Sequence, residues 1–303
     1  MPIVDFHLHL FSRPYFEALA AQSPLEGDVE AKLARVANQA RIEIPPRELE
    51  AHVARWIAEL DAGGVERAAA FASAPEEIPA LAEAGRITGG RLVPFALVDP
   101  RKPGVAERVA RLMDEQGFRG VLLFPALHHY HVGAAEVAPL LAVLDERAGV
   151  AYVHCGILIV RLRERLGLPR VQDLAYANPL GVIPAANAGP RARFVIPHFG
   201  AGLFREALIA GAQCPNVHLD SSSSNAWMAT QPAPLGLRDV FERALGALGP
   251  ERILFGTDSN TFPAGWRKDR YLEQRAACES LGLSQRDLDL IFAGNARRLL
   301  QDG

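Results

Sequence analysis

The stretch Met1-Pro-Ile-Val-Asp5-Phe-His7-Leu-His9-Leu10 decides how the rest of the chain is read. From Ile3 to Leu10 it is apolar and β-branched with no turn signal inside, the pattern of a buried strand. Residues two apart in a strand project to one face, so the imidazoles of His7 and His9 point together. Two convergent neutral imidazoles on a rigid element suit a divalent transition metal. Nine histidines in 303 residues give roughly a quarter of a His-x-His pair by chance. The pair therefore needs partners elsewhere in the chain.

Outward from this strand, short apolar runs recur at Ala68–Ala72, Val93–Asp99, Gly120–Phe124, Ala151–His154, Phe194–His198, Val217–Asp220 and Ile253–Asp258. Helical periodicity fills the gaps at Glu48–Ala62, Gly104–Gln116, Ala135–Arg147, Leu237–Leu248 and Tyr271–Ser280, with apolar residues three and four apart. Near-continuous apolar strands alternating with helices indicate a parallel sheet covered on both faces. Eight such units predict a distorted (β/α)₈ barrel, with residues 1–303 as one domain. No Gly-x-Gly-x-x-Gly follows the first strand, which argues against a dinucleotide-binding fold. Two connections, Phe11 to Arg47 and Gly156 to Arg193, are too long for simple crossovers. They read as lids or substrate-shaping insertions after strands 1 and 5. The first holds a predicted helix, Asp28–Ala40, and the second a Pro/Asn/Gly-rich stretch, Asn178–Pro190.

Composition narrows the function. A net charge of −3 and a pI of about 6.3 offer no basic field for nucleic acid. The three cysteines, Cys155, Cys214 and Cys278, are too scattered for a disulfide framework and read as reduced thiols. No apolar run reaches the roughly 20 residues that cross a bilayer. With a strand starting at Ile3, no secretory leader is expected. A cytoplasmic protein without nucleic acid or membrane partners is the expectation.

The chemistry sits at the strand ends. Strand 1 supplies His7 and His9, strand 5 ends at His154, strand 6 at His198 and strand 8 at Asp258. A parallel barrel gathers these ends on one face, so four imidazoles and a carboxylate converge. That donor set suits Zn²⁺, and Mn²⁺, Fe²⁺ or Co²⁺ as well.

Asp5-x-His7-x-His9, Val153-His154-x-Gly156, His198-x-Gly200, Val217-x-x-Asp220, Phe255-Gly256-Thr257-Asp258 and Gly294-Asn295-Ala296 resemble the amidohydrolase superfamily. More narrowly, the pattern is similar to the branch that includes aminocarboxymuconate-semialdehyde decarboxylase, resorcylate decarboxylases and pyrone-dicarboxylate lactonases. The resemblance implies one catalytic divalent metal, usually zinc, held by His7, His9, His154 and Asp258, with His198 beside it. It also implies a homodimer. The two-metal members carry a carboxylated lysine or a glutamate at the end of strand 4. Here that strand is Gly120-Val-Leu-Leu-Phe-Pro125, so a mononuclear site is expected, and the phosphotriesterase and TatD-type nuclease readings are disfavoured. A bound Zn²⁺ lowers the pKa of its water from 15.7 to about 7, and Asp258 would shuttle the proton while His198 polarises the substrate. Hydrolysis of a small lactone, amide or related acid derivative is the expected reaction. The alternative is non-oxidative decarboxylation of an aromatic or unsaturated acid at the same site.

Further residues have candidate roles. Asp220 can orient a ligand histidine or form a plain buried hydrogen-bonded pair; His218, two residues earlier, shares its face. Arg13, Arg161, Arg163 and Arg267 follow strands 1, 5 and 8, where an arginine can hold a substrate carboxylate. The run His128-His129-Tyr130-His131 reads as a loop with no metal role or as one that lines the substrate pocket, with His128 the candidate there. Ser221–Ser224 read as a polar loop, Cys155 as a packed thiol and His52 as a surface residue.

Overall fold

The structure, a computed structural model, describes residues 3–222 and 225–301. Its eight strands are β1 (Ile3–His9), β2 (Val65–Phe71), β3 (Leu92–Leu97), β4 (Gly120–Leu123), β5 (Val150–Val153), β6 (Arg193–Ile196), β7 (Val217–Asp220) and β8 (Ile253–Leu254). Each pairs in parallel with the next in sequence order. Helices alternate with them, giving the (β/α)₈ barrel. Alternate residues such as Phe71, Phe95, Leu122, Tyr152 and Val195 fill the interior; their neighbours face the helices.

The barrel closes between β8 and β1 in an irregular way. β8 was expected to run to Asp258, but the ladder stops at Leu254. Beyond it, Phe6 N donates to Phe255 O (2.8 Å), Asp258 N to His7 O (2.9 Å) and His9 N to Ser259 O (2.8 Å). The buried Asp5 carboxylate pulls this segment toward β1, accepting from Thr257 N at 3.0 Å and Trp266 Nε1 at 2.8 Å.

Between Asp5 and Leu8, which face Ala68 and Ala70, β1 carries one more residue than β2, offsetting an opposite shift between Ile3 and Val4. A bulge of this kind re-aims side chains. Val4 and Phe6 belong to the barrel interior and Leu8 to the outer layer. His7 lies against the interior rings of Phe71 and Tyr152, at 5.4 and 5.2 Å between centroids. The bulge thus lets Phe6 fill the barrel while His7 and His9 both turn to its upper end.

The two insertions meet. The helices Arg13–Gln22 and Val29–Ala40 follow β1, and the short helix Arg161–Arg165 follows β5. Tyr15, Phe16, Leu19, Leu33 and Val36 from the first bury Leu166 and Leu168 from the second, and Ser23 Oγ donates to Leu166 O at 2.6 Å. Strands 1 and 5 are opposite in an eight-stranded barrel, so the joined insertions roof its C-terminal mouth. Part of the Pro/Asn/Gly-rich stretch Asn178–Pro190 is the helix Val182–Ala188. Among the described residues, no helix is long and apolar enough to cross a membrane.

Candidate metal centre

His7 and His9 are held from behind. His7 Nδ1 lies 3.0 Å from Asp220 Oδ2, 2.7 Å from Ser222 Oγ and 2.5 Å from Tyr152 Oη. His9 Nδ1 lies 2.7 Å from Ser73 Oγ. With both Nδ1 atoms engaged, the two Nε2 atoms face each other at 3.2 Å. Asp258 Oδ1 completes a triangle, 3.6 Å from His7 Nε2 and 3.7 Å from His9 Nε2. Its backbone takes the left-handed conformation, φ 58°, which turns the side chain from the strand-8 path into the mouth.

His198 and His154 stand next to this triangle. After β6, a left-handed run at His198 and Phe199 (φ 53° and 51°) folds the imidazole inward. His198 Nδ1 lies 3.1 Å from Ser222 O and 3.0 Å from Ser222 Oγ. Its ring is 5.0 Å from that of His7 and 5.3 Å from that of His154. Gly156 anchors the turn after His154 at φ 74°; a Cβ there would meet Gly200 O at 2.2 Å.

Burial governs the protonation of the cluster. It lowers His7 to about 3 and, with the His7 imidazole adding to the effect and Asp220 opposing it, His198 to about 4. His9 and His154 are lowered well below the usual histidine range for the same reasons. All four imidazoles are therefore neutral near pH 7, the form that ligates metal. Burial also raises Asp220 to about 6 and lifts Asp258 well above the usual carboxylate range; Asp220 and Asp5 add to the latter, and Arg267 opposes it.

These residues fit a divalent ion. Donors about 2.0–2.1 Å from a tetrahedral ion lie roughly 3.3–3.5 Å from one another, close to the separations of the His7, His9 and Asp258 atoms. Asp220 behind His7 gives the carboxylate–histidine arrangement that orients a ligand imidazole. His154 Nδ1 is buried without a hydrogen-bond partner among the described residues, which a ligand nitrogen would be. The end of β4 adds only an apolar wall, the Phe124 ring 5.4 Å from His154.

An amidohydrolase family model matches residues 4–301. The chain belongs to the amidohydrolase family. No curated protein matches it. Among solved structures, the fold resembles 5-carboxyvanillate decarboxylase from Sphingomonas paucimobilis at 14% identity, covering 100% of this chain and 99% of that one, TM-score 0.66. A zinc-bound amidohydrolase from Burkholderia multivorans matches at 19% identity over 99% of both chains, TM-score 0.64. A protein assigned as a 2-pyrone-4,6-dicarboxylic acid hydrolase, from Pseudomonas putida, matches at 19% over 98% and 97%, TM-score 0.63.

The other candidates are placed less centrally. Arg13 is taken up by Glu17 (2.9 Å) and Glu30. Arg267 is bidentate to Asp269, at 3.1 and 3.0 Å, while its charge still reaches Asp258. Arg161 is exposed; on the same helix, Arg163 Nε is buried without a partner among the described residues. His128 stacks on Tyr130 at 6.5 Å, with Asp99 beside it. Asp220 takes His7 as its partner, while His218 feels Arg193, Arg252 and Arg298. Ser223 and Ser224 lie outside the described residues. His52 corrects its surface expectation: it is buried, with Nε2 2.9 Å from Leu10 O. The Arg/Glu-rich helix face is its opposite side, and Phe262 covers this one. Sequence reading also missed Tyr152, Ser73, Ser222 and Glu77. No periodicity marks them: Ser73 and Ser222 stand just after β2 and β7, Tyr152 lies within β5 and Glu77 six residues beyond β2.

Proposed function

We propose that this amidohydrolase is a mononuclear metal-dependent hydrolase of a small lactone, amide or related carboxylic acid derivative. The observation that carries this reading is the convergence of His7 Nε2, His9 Nε2 and Asp258 Oδ1 within 4.8 Å of one another. A divalent ion held by these residues and His154, most readily zinc, would supply Lewis acidity and an activated water. Asp258 has a side chain 24% exposed, enough to accept a proton from the attacking water and return it to the leaving group. His198 is held through Nδ1 by Ser222; where the Ser222 hydroxyl donates to Nδ1, the one imidazole proton sits on Nε2 and can be donated to the substrate carbonyl oxygen. Asp220 and Ser73 hold the two strand-1 imidazoles, and the roof over the mouth limits bulk water.

Decarboxylation is the second reading, supported by the fold shared with a 5-carboxyvanillate decarboxylase. There Asp258 would deliver its proton to carbon as CO₂ leaves. The three named structures include a decarboxylase and a hydrolase whose substrates both carry carboxylates, which supports a carboxylate-bearing substrate in either case. Incubation with a panel of lactones and hydroxybenzoates, following proton release and CO₂ separately, distinguishes the two. Acid release from a lactone without CO₂ is the expected result. CO₂ from a hydroxybenzoate with no lactone turnover would assign the lyase.

A further inference from the structure

Glu77 ends the short turn Pro75–Glu77 after β2 and has no exposed surface. No lysine or arginine pairs with it among the described residues, so its charge rests on hydrogen bonds alone. A buried carboxylate in that situation is costly and persists only where donors converge on it. Three do. Oε1 accepts from Ser12 N at 2.5 Å and Ser12 Oγ at 2.9 Å; Oε2 accepts from Ser73 N at 2.8 Å. Ser12 starts the first roof helix, and its hydroxyl is spent on Glu77 rather than on capping that helix. Ser73 is the residue whose Oγ meets His9 Nδ1 at 2.7 Å.

We infer that Glu77 is a positioning residue for the metal centre: by clamping the Ser73 backbone against the loop after β1, it fixes the hydroxyl that aims His9 Nε2 at His7 and Asp258. The inference rests on the metal-site reading above. A carboxylate is needed because every group facing its oxygens from Ser12 and Ser73 donates. A glutamine would turn its NH₂ toward one backbone N–H whichever way it sat. The shape would survive and the clamp would not.

The test is Zn²⁺ affinity at 25 °C and pH 8, where Glu77 is the carboxylate, measured by competition with a chromophoric chelator on the full chain. The variants are Glu77→Ala, Glu77→Gln, Ser73→Ala and the Ser73→Ala/Glu77→Ala double, with a melting curve for each. Partners behind ligand histidines typically contribute 10–100-fold in metal affinity. Both Glu77 variants and Ser73→Ala should bind zinc about tenfold more weakly, and the double variant no more weakly than the worse single, as one relay requires. If Glu77→Ala does not fold, Glu77→Gln, which keeps the volume, carries the comparison with Ser73→Ala. Folded Glu77 variants that bind zinc within twofold of wild type, or a double variant whose losses multiply, would overturn the inference. Wild-type protein that binds no stoichiometric zinc would instead overturn the metal-site reading beneath it.

Discussion

His7 and Asp220, 213 positions apart in sequence, meet through Nδ1 and Oδ2 at 3.0 Å inside the barrel. The contact joins strands 1 and 7, which flank strand 8 in the barrel. It holds the His7 proton on Nδ1 and leaves Nε2 as a lone pair for the centre. Asp220→Ala should therefore weaken zinc binding by about 10–100-fold while the protein stays folded, as chelator competition and circular dichroism would record. Unchanged affinity would mean that Tyr152 and Ser222 suffice to orient the ring.

His52 ties the helix Leu49–Gly63 to the end of β1 through Leu10 O. His52→Ala removes a buried hydrogen bond and leaves a cavity beside Trp56, which should cost about 2–3 kcal/mol. Urea unfolding would measure it. A change under about 0.5 kcal/mol would return His52 to the surface role its neighbouring charges imply.

Gly156 is where the turns after β5 and β6 touch. Alanine there has to accept φ 74° and a Cβ 2.2 Å from Gly200 O. Backbone strain and overpacking together predict a loss on the order of 3 kcal/mol, read from thermal or urea melts. Because His154 and His198 flank the contact, turnover should fall further than stability alone explains. An unperturbed Gly156→Ala protein would contradict the packing described.

Much of this was legible in the chain. Alternating apolar strands and amphipathic helices gave the barrel, because burial on both faces leaves an unbroken Val/Ile/Leu/Phe signature. The convergence of His7, His9, His198 and Asp258 followed from parallel topology alone. What could not be read has local physical causes. The strand-8 boundary failed because Asp5, far away in sequence, captures Thr257. The helix Arg13–Gln22 was hidden in a long connection, although Ser12 and Pro14 mark a helix start. His52 was misjudged because a charged helix surface does not show which of its faces packs on the end of β1 and Phe262. Ser73, Ser222 and Glu77 carry no pattern, since a buried hydrogen bond made by one serine or one glutamate has no period.

Burial raises Glu77 to about 7, while its hydrogen bonds with Ser73 and Ser12 oppose the rise; Tyr15 lies nearby. The folded state thus holds this proton more tightly than the unfolded chain, where a glutamate titrates near 4.3. The sign follows: its contribution to stability is full below the unfolded value and is lost as pH rises through about 7. The stability of wild type minus that of Glu77→Gln should therefore fall by on the order of 3 kcal/mol between pH 4 and pH 8. Urea melts at both pH values measure it; a difference independent of pH would contradict this placement of Glu77.

The most direct test of the metal centre is elemental analysis of the full chain, purified without added metal and then loaded with zinc and desalted. One equivalent per chain is predicted in wild type, with less than a tenth of that retained by His7→Ala and Asp258→Ala. Two equivalents per chain, or a metal content that those substitutions leave unchanged, would contradict a mononuclear centre built on His7, His9 and Asp258.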